Sequence, residues 1–111
     1  MAGLDRTPGP REKPYSPADG QVVEITPPPF IWAPAGKGSI YALEISSSRE
    51  FVRGSTRVYE KLRRPVFVPQ DVLPPGPWFW RYGVESKQGM AWGRVRSFVV
   101  PAGARPFPFP D

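Results

Sequence analysis

The chain is 111 residues long, holds 17 prolines and 11 glycines, carries a formal charge of +5, and has no cysteine, histidine or asparagine. Those absences exclude disulfide staples, Cys/His zinc sites, Cys- or His-based nucleophile–base pairs and N-glycosylation sequons. The basic charge permits an anionic partner without demanding one, since an excess of five charges is ordinary for a soluble domain.

Proline and glycine make up about a quarter of the chain, at the edge of disordered compositions, but they are unevenly placed. Residues 1–14 and 101–111 together hold 7 prolines, 3 glycines and two aromatics, whereas residues 15–100 hold the other 13 aromatics. The expected organisation is a flexible N-terminal segment (1–14), one compact domain (15–100), and a proline-rich extended linker (101–111) to a following domain. No apolar run approaches the roughly 20 residues of a membrane span. The start, Met1-Ala2-Gly3-Leu4-Asp5-Arg6, lacks the apolar stretch of a signal peptide.

Turn chemistry separates extended segments throughout residues 15–100. Pro17-Ala18-Asp19-Gly20 is a turn signal, and Val22, Val23 and Ile25 follow as a short strand. Pro27-Pro28-Pro29 and Pro34 bracket Phe30-Ile31-Trp32, so no helix forms there. Gly36-Lys37-Gly38 turns the chain into 40–46, where Tyr41, Leu43 and Ile45 face one way and Ala42, Glu44 and Ser46 the other. Residues 46–54 are polar, with Phe51 as the anchor of an expected helical turn.

Two short strands, 57–62 and 66–68, come next. Leu73-Pro74-Pro75-Gly76-Pro77 bends the chain into 78–85, where Trp78, Trp80, Tyr82 and Val84 share one face and Phe79, Arg81 and Gly83 the other. Ser86-Lys87-Gln88-Gly89 is a hairpin turn, and 92–100 returns as the last strand. Its alternation breaks between Val95 and Phe98, which predicts a bulge. Seven short strands with no helical repeat predict an all-β, seven-stranded antiparallel two-sheet sandwich.

The strings that carry a resemblance are Pro28-x-Phe30-x-Trp32-x-Pro34, Tyr41-x-Leu43-x-Ile45-Ser46, Leu73-x-x-Gly76-x-Trp78-Phe79-Trp80-Arg81 and Trp92-x-x-Val95-Arg96-Ser97-Phe98-x-Val100. Together they resemble a fibronectin type III/immunoglobulin-like module, with Trp32 as the tryptophan of the second strand. Trp78 stands near the position of the usual tyrosine corner, a departure, since an indole has no phenol hydroxyl. More narrowly, Pro27–Trp32, Trp78–Gly83, Arg96-Ser97-Phe98 and the exit Arg105-Pro106-Phe107-Pro108-Phe109-Pro110 resemble the N-terminal module of bacterial heparinase II/III-like polysaccharide lyases. The resemblance implies a non-catalytic accessory module, monomeric in isolation, that positions or docks on the catalytic domain of the same polypeptide in an extracellular or periplasmic setting.

No catalytic residue, metal ligand or cofactor site emerges. Glu44, Glu60, Asp71 and Glu85 are scattered, without the spacing of a carboxylate pair or an ion site. The candidate interdomain or ligand face is built on Phe79, Arg81, Arg94, Arg96 and Trp92, with the arginines expected to share the outer face with Phe79. Three uses of that face stay open: docking on a neighbouring domain, a cross-strand ladder pairing Glu44 with Arg81 or Arg96, and binding of an acidic polysaccharide. An adhesion module for other proteins is a further alternative. The basic run Arg53, Arg57, Lys61, Arg63 and Arg64 reads as a polyanion footprint or as edge-strand protection. Nucleic-acid binding lacks any supporting motif.

Overall fold

The computed structural model describes residues 14–106. They form an all-β unit with no helix and ten short strands: β1 (Gln21–Val22), β2 (Ile25–Thr26), β3 (Phe30–Ile31), β4 (Tyr41–Ser46), β5 (Thr56–Leu62), β6 (Val66–Phe67), β7 (Gly76–Ser86), β8 (Gly89–Trp92), β9 (Arg96–Val100) and β10 (Arg105–Pro106).

The main sheet runs β1-β9-β7-β4-β5, and β8 joins it by pairing with β7. Strand β7 is the spine. Its N-terminal half pairs with β9 (Trp78 opposite Phe98, Trp80 opposite Arg96) and its C-terminal half with β8 (Gly83 opposite Trp92). Its other edge pairs with β4, Ile45 lying opposite Trp80 and Leu43 opposite Tyr82. Two-residue sheets, β3 with β6 and β10 with β2, complete the architecture.

The inward face follows from period-two alternation. Tyr41, Leu43, Ile45, Trp78, Trp80, Tyr82, Phe98 and Val100 are all buried. Phe30 and Trp32, brought in by the proline-bracketed segment, cover them. The Phe30 ring meets Trp80 and Phe98 edge-on at 5.5 and 5.6 Å, and Trp32 stacks on Tyr82 at 5.6 Å. Such offset and edge-on pairs are the favoured geometries of quadrupolar rings. The face assignments expected for β4 and β7 hold.

Several boundaries differ. The expected last strand is two strands, β8 and β9, along one edge of β7, and the expected extra residue falls at residues 93–95 rather than between Val95 and Phe98. From Trp92 opposite Gly83 to Arg96 opposite Trp80 the strand advances four residues to three on β7, with the Gly93 N–H still donating to the Tyr82 carbonyl at 2.8 Å. A second bulge lies in β5. Between the pairs Tyr41–Leu62 and Leu43–Tyr59, β5 advances three residues to two on β4, and Lys61 takes a left-handed φ of 60°. The first strand divides into β1 and β2, and both make parallel pairs, β1 with β9 and β2 with β10. The main sheet is thus mixed rather than purely antiparallel.

Residues 46–54 form turns rather than a helical turn. The Ser46 hydroxyl accepts from the Ser48 N–H at 3.0 Å and donates to the Ser55 carbonyl at 3.1 Å, offering the backbone an alternative to helix. At the exit, residues 101–104 make a turn, the Ala104 N–H donating to the Pro101 carbonyl at 3.1 Å, and the chain folds back onto the body. Arg105 N–H donates to the Glu24 carbonyl at 3.0 Å, and β10 pairs with Ile25 and Thr26. Residues 1–13 and 107–111 of the expected terminal segments lie outside the described residues.

Candidate functional site

The outer face of the main sheet carries the residues singled out in sequence. Alternation along β7 puts Pro77, Phe79, Arg81 and Gly83 there, and the register sets Ser46 and Ser97 beside Phe79 and Glu44 beside Arg81.

Arg81 is the centre of this face. Its Nε and Nη2 lie 2.8 and 2.7 Å from Glu44 Oε1. Its guanidinium sits between two rings, with Cζ 4.5 Å from the Phe51 centroid and 4.4 Å from the Trp92 centroid. A planar cation between π-faces gains electrostatic attraction on both sides without losing its in-plane donors. The ladder pairing of Glu44 with Arg81 is therefore formed, and the arginine is held by three side chains.

Two backbone features build the stack. Phe51 adopts a left-handed φ of 55°, and its N–H donates to the Ser48 carbonyl at 3.0 Å. From the opposite side, Trp92 reaches over the sheet because its cross-strand partner is Gly83. A Cβ on Gly83 would lie 2.8 Å from the Trp92 ring and 2.7 Å from Met90 Cγ. Phe79 is only half-buried, and Arg49 covers it with Cζ 4.8 Å from the ring centroid.

Arg96 is not on this face. It lies opposite Trp80 and takes the same inward direction as Phe98 and Val100, so it is 0% exposed in the core. Its Cζ stands 3.7 Å from the Tyr15 centroid and 5.8 Å from that of Trp80. The expectation that Arg96 shares the outer face is thus corrected. The break at residues 93–95 restarts the alternation, so counting back from Trp92 gives the wrong parity. Arg94 is exposed in that break and belongs to neither strand.

The basic run also separates. Arg57 points inward over the Trp78 ring, Cζ 5.7 Å from its centroid. Lys61 pairs with Glu85 at 2.8 Å, and this hydrogen-bonded carboxylate raises the Lys61 pKa above its ordinary value of 10.5. Arg53 and the pair Arg63-Arg64 are exposed at opposite ends of β5, so no continuous footprint forms.

One feature of the face was not legible in sequence. Val22 on β1, Val99 on β9 and Pro77 on β7 are in register across three strands, and Val22 and Val99 are 59% and 39% exposed. This apolar row adjoins Phe79, one step along β7. Among the described residues no group of three or more His, Cys, Asp or Glu side chains could hold a metal ion, and no helix is long and apolar enough to cross a membrane. No protein-family model matches the chain, and no curated protein matches it by sequence.

Proposed function

We propose that this chain is a fibronectin type III-like accessory module of a larger heparinase II/III-like polysaccharide lyase, non-catalytic itself, that positions a neighbouring domain by docking through the outer face of its main sheet. The observation that carries the docking role is the in-register row Val22–Val99–Pro77. It leaves apolar side chains open beside Phe79 on a domain this small. The rest of the face is already filled by the stack on Arg81, which gives the row a stiff flank.

The fold analogy draws support from Trp78. Its Nε1 donates to the Pro74 carbonyl at 2.9 Å, four residues upstream. That is the kind of backbone bond the corner tyrosine makes in such modules, so the indole N–H supplies what the missing phenol hydroxyl would have. The two facing layers around Trp32, Phe30 and Trp80 fit the same reading.

The test uses the polypeptide in which this module and its neighbour are joined. Val22→Ser with Val99→Ser should lower the neighbour's melting temperature by several degrees and leave the module's own unfolding nearly unchanged. Equal melting of the neighbour with and without the double substitution would refute docking through this row. A second reading, recognition of an acidic polysaccharide, draws on Arg49, which is exposed over Phe79 and makes no ion pair among the described residues. Calorimetry with acidic and neutral glycans separates it: saturable binding lost on Arg49→Ala would favour that reading.

A further inference from the structure

A second feature lies at the far end of β7 from the apolar row and is independent of the docking reading. The turn at residues 36–39 and the hairpin turn at residues 86–89 are neighbours, because Tyr41 pairs with Val84 and Glu85 N–H donates to the Ile40 carbonyl at 2.9 Å. Between them is a shallow cleft of about 360 Å³ lined by Gly38, Ser39, Ile40, Glu85, Ser86 and Lys87.

We propose that this cleft is a binding site for a tetrahedral oxyanion, phosphate or sulfate. Uncommitted donors line it from both turns, Gly38 and Ser39 on one and Lys87 on the other. The Ser86 hydroxyl is held by the Gly89 carbonyl at 2.7 Å, and Lys37 stands next to Gly38 outside the lining. The Ser39 hydroxyl and the Gly38 N–H make no hydrogen bond among the described residues, and the ammonium groups of Lys37 and Lys87 face no carboxylate within ion-pair distance. Gly38 has a φ of 80°, a conformation that lets a backbone N–H be presented with no side chain in the way.

The charge balance points the same way. Lys37 and Lys87 sit on the two turns, Lys61 reaches this end of the sheet through Glu85, and Arg63 and Arg64 follow at the end of β5. The cleft's one carboxylate, Glu85, is held by Lys61 at 2.8 Å, and Glu60 stands beyond Lys61 on the same strand. Lysine is a compact point charge with rotatable donors, suited to a rounded oxyanion. The planar bidentate fork that selects a carboxylate is arginine's, and none lines the cleft. Hydroxyl, amide and ammonium donors arriving from two sides match a tetrahedral array of acceptor oxygens.

The test is an amide NMR titration of the whole chain with sodium phosphate and sodium sulfate, at constant ionic strength set by sodium chloride. Saturable shifts confined to Gly38, Ser39, Ser86 and Lys87 are expected, with a Kd of about 1–10 mM, in keeping with a few exposed charge-assisted bonds. Lys37→Ala with Lys87→Ala should weaken binding at least about tenfold. Arg53→Ala with Arg105→Ala, an equal loss of exposed charge away from this end of the sheet, should leave it unchanged. All four side chains are exposed, and an unchanged melting temperature establishes that each variant is folded.

Shifts that stay linear, or an equal loss in both double variants, would overturn the proposal and leave only net-charge attraction. A glycerol 3-phosphate titration separates the two sources of the same chemistry. Tighter binding than inorganic phosphate assigns the site to an esterified group, and equal binding to the free ion.

Discussion

The guanidinium of Arg96 lies over Tyr15, its Cζ 3.7 Å from the ring centroid, and both residues are buried. An N-terminal side chain thus closes the core over a charge on the penultimate strand of the chain. Around this contact Ser16 and Ile31 exchange two backbone hydrogen bonds of 3.0 and 2.8 Å, and Trp80 Nε1 donates to the Pro17 carbonyl at 3.1 Å. Residues 15–17 are therefore part of the packed unit.

Tyr15→Ala should destabilise the fold by about 3 kcal/mol or more, the scale of an aromatic deletion from a packed core. The cation beneath it would also lose the ring that shields it. Urea unfolding measures the loss; a change below about 1 kcal/mol would mean that Tyr15 is not seated on Arg96.

The same contact makes a second prediction about Arg96. Arg96→Ala leaves a cavity and should cost about 3 kcal/mol, whereas Arg96→Met fills much of the volume without a charge to desolvate and should cost clearly less. Equal losses in the two variants would argue that the charge, not the volume, is what the core needs.

Gly83→Ala tests the stack on the outer face. The new methyl would approach Trp92 and Met90 at 2.7–2.8 Å, so the indole must leave Arg81, at a cost of about 1–3 kcal/mol. Trp92→Ala in the same chain removes the indole's share of the obstruction and leaves that of Met90, and the double variant should be more stable than the sum of the single losses. Strict additivity in a double-mutant cycle would show that the methyl meets no indole.

For Lys61, left-handed φ is a conformation that glycine adopts with less strain. The ion pair with Glu85 is exposed and contributes little. Lys61→Gly is accordingly expected to be neutral or to stabilise by up to about 1 kcal/mol in chemical unfolding. A loss of stability would assign the pair more weight than its exposure suggests.

The raised Lys61 pKa fixes the sign of a pH effect. The folded state holds this proton more tightly than the unfolded chain, so the contribution is fully present below the unfolded value near 10.5. It disappears as pH rises through the higher folded value. The stability difference between the native chain and Lys61→Met should therefore be constant on the alkaline side up to about pH 10 and shrink above it. A difference that instead grew above pH 10 would contradict the assignment to Glu85.

The amino-acid sequence by itself determined the all-β class, the proline-bracketed Phe30–Trp32 segment and the two faces of β4 and β7. Each rests on local rules: proline removes a donor and fixes φ, and period-two alternation assigns every side chain of a regular strand to one face. Glu44 beside Arg81 was legible for the same reason, since two alternating strands in antiparallel register bring outward residues together. The seven-stranded count, the single last strand and the outward Arg96 were not correctly legible.

Tertiary structure decided those points, because each depends on where along β7 a segment pairs and where an extra residue is absorbed. The break at residues 93–95 reverses parity and carries Arg96 inward, where Tyr15 and Trp80 make its burial tolerable. The parallel pairings of β1 and β10 join segments about 80 residues apart, a separation at which local patterning carries no register. The prolines and glycines that first suggested a loosely ordered chain mark where these short strands stop. Which strand lies beside which, and so which valines line up as an open row, was set by the fold alone.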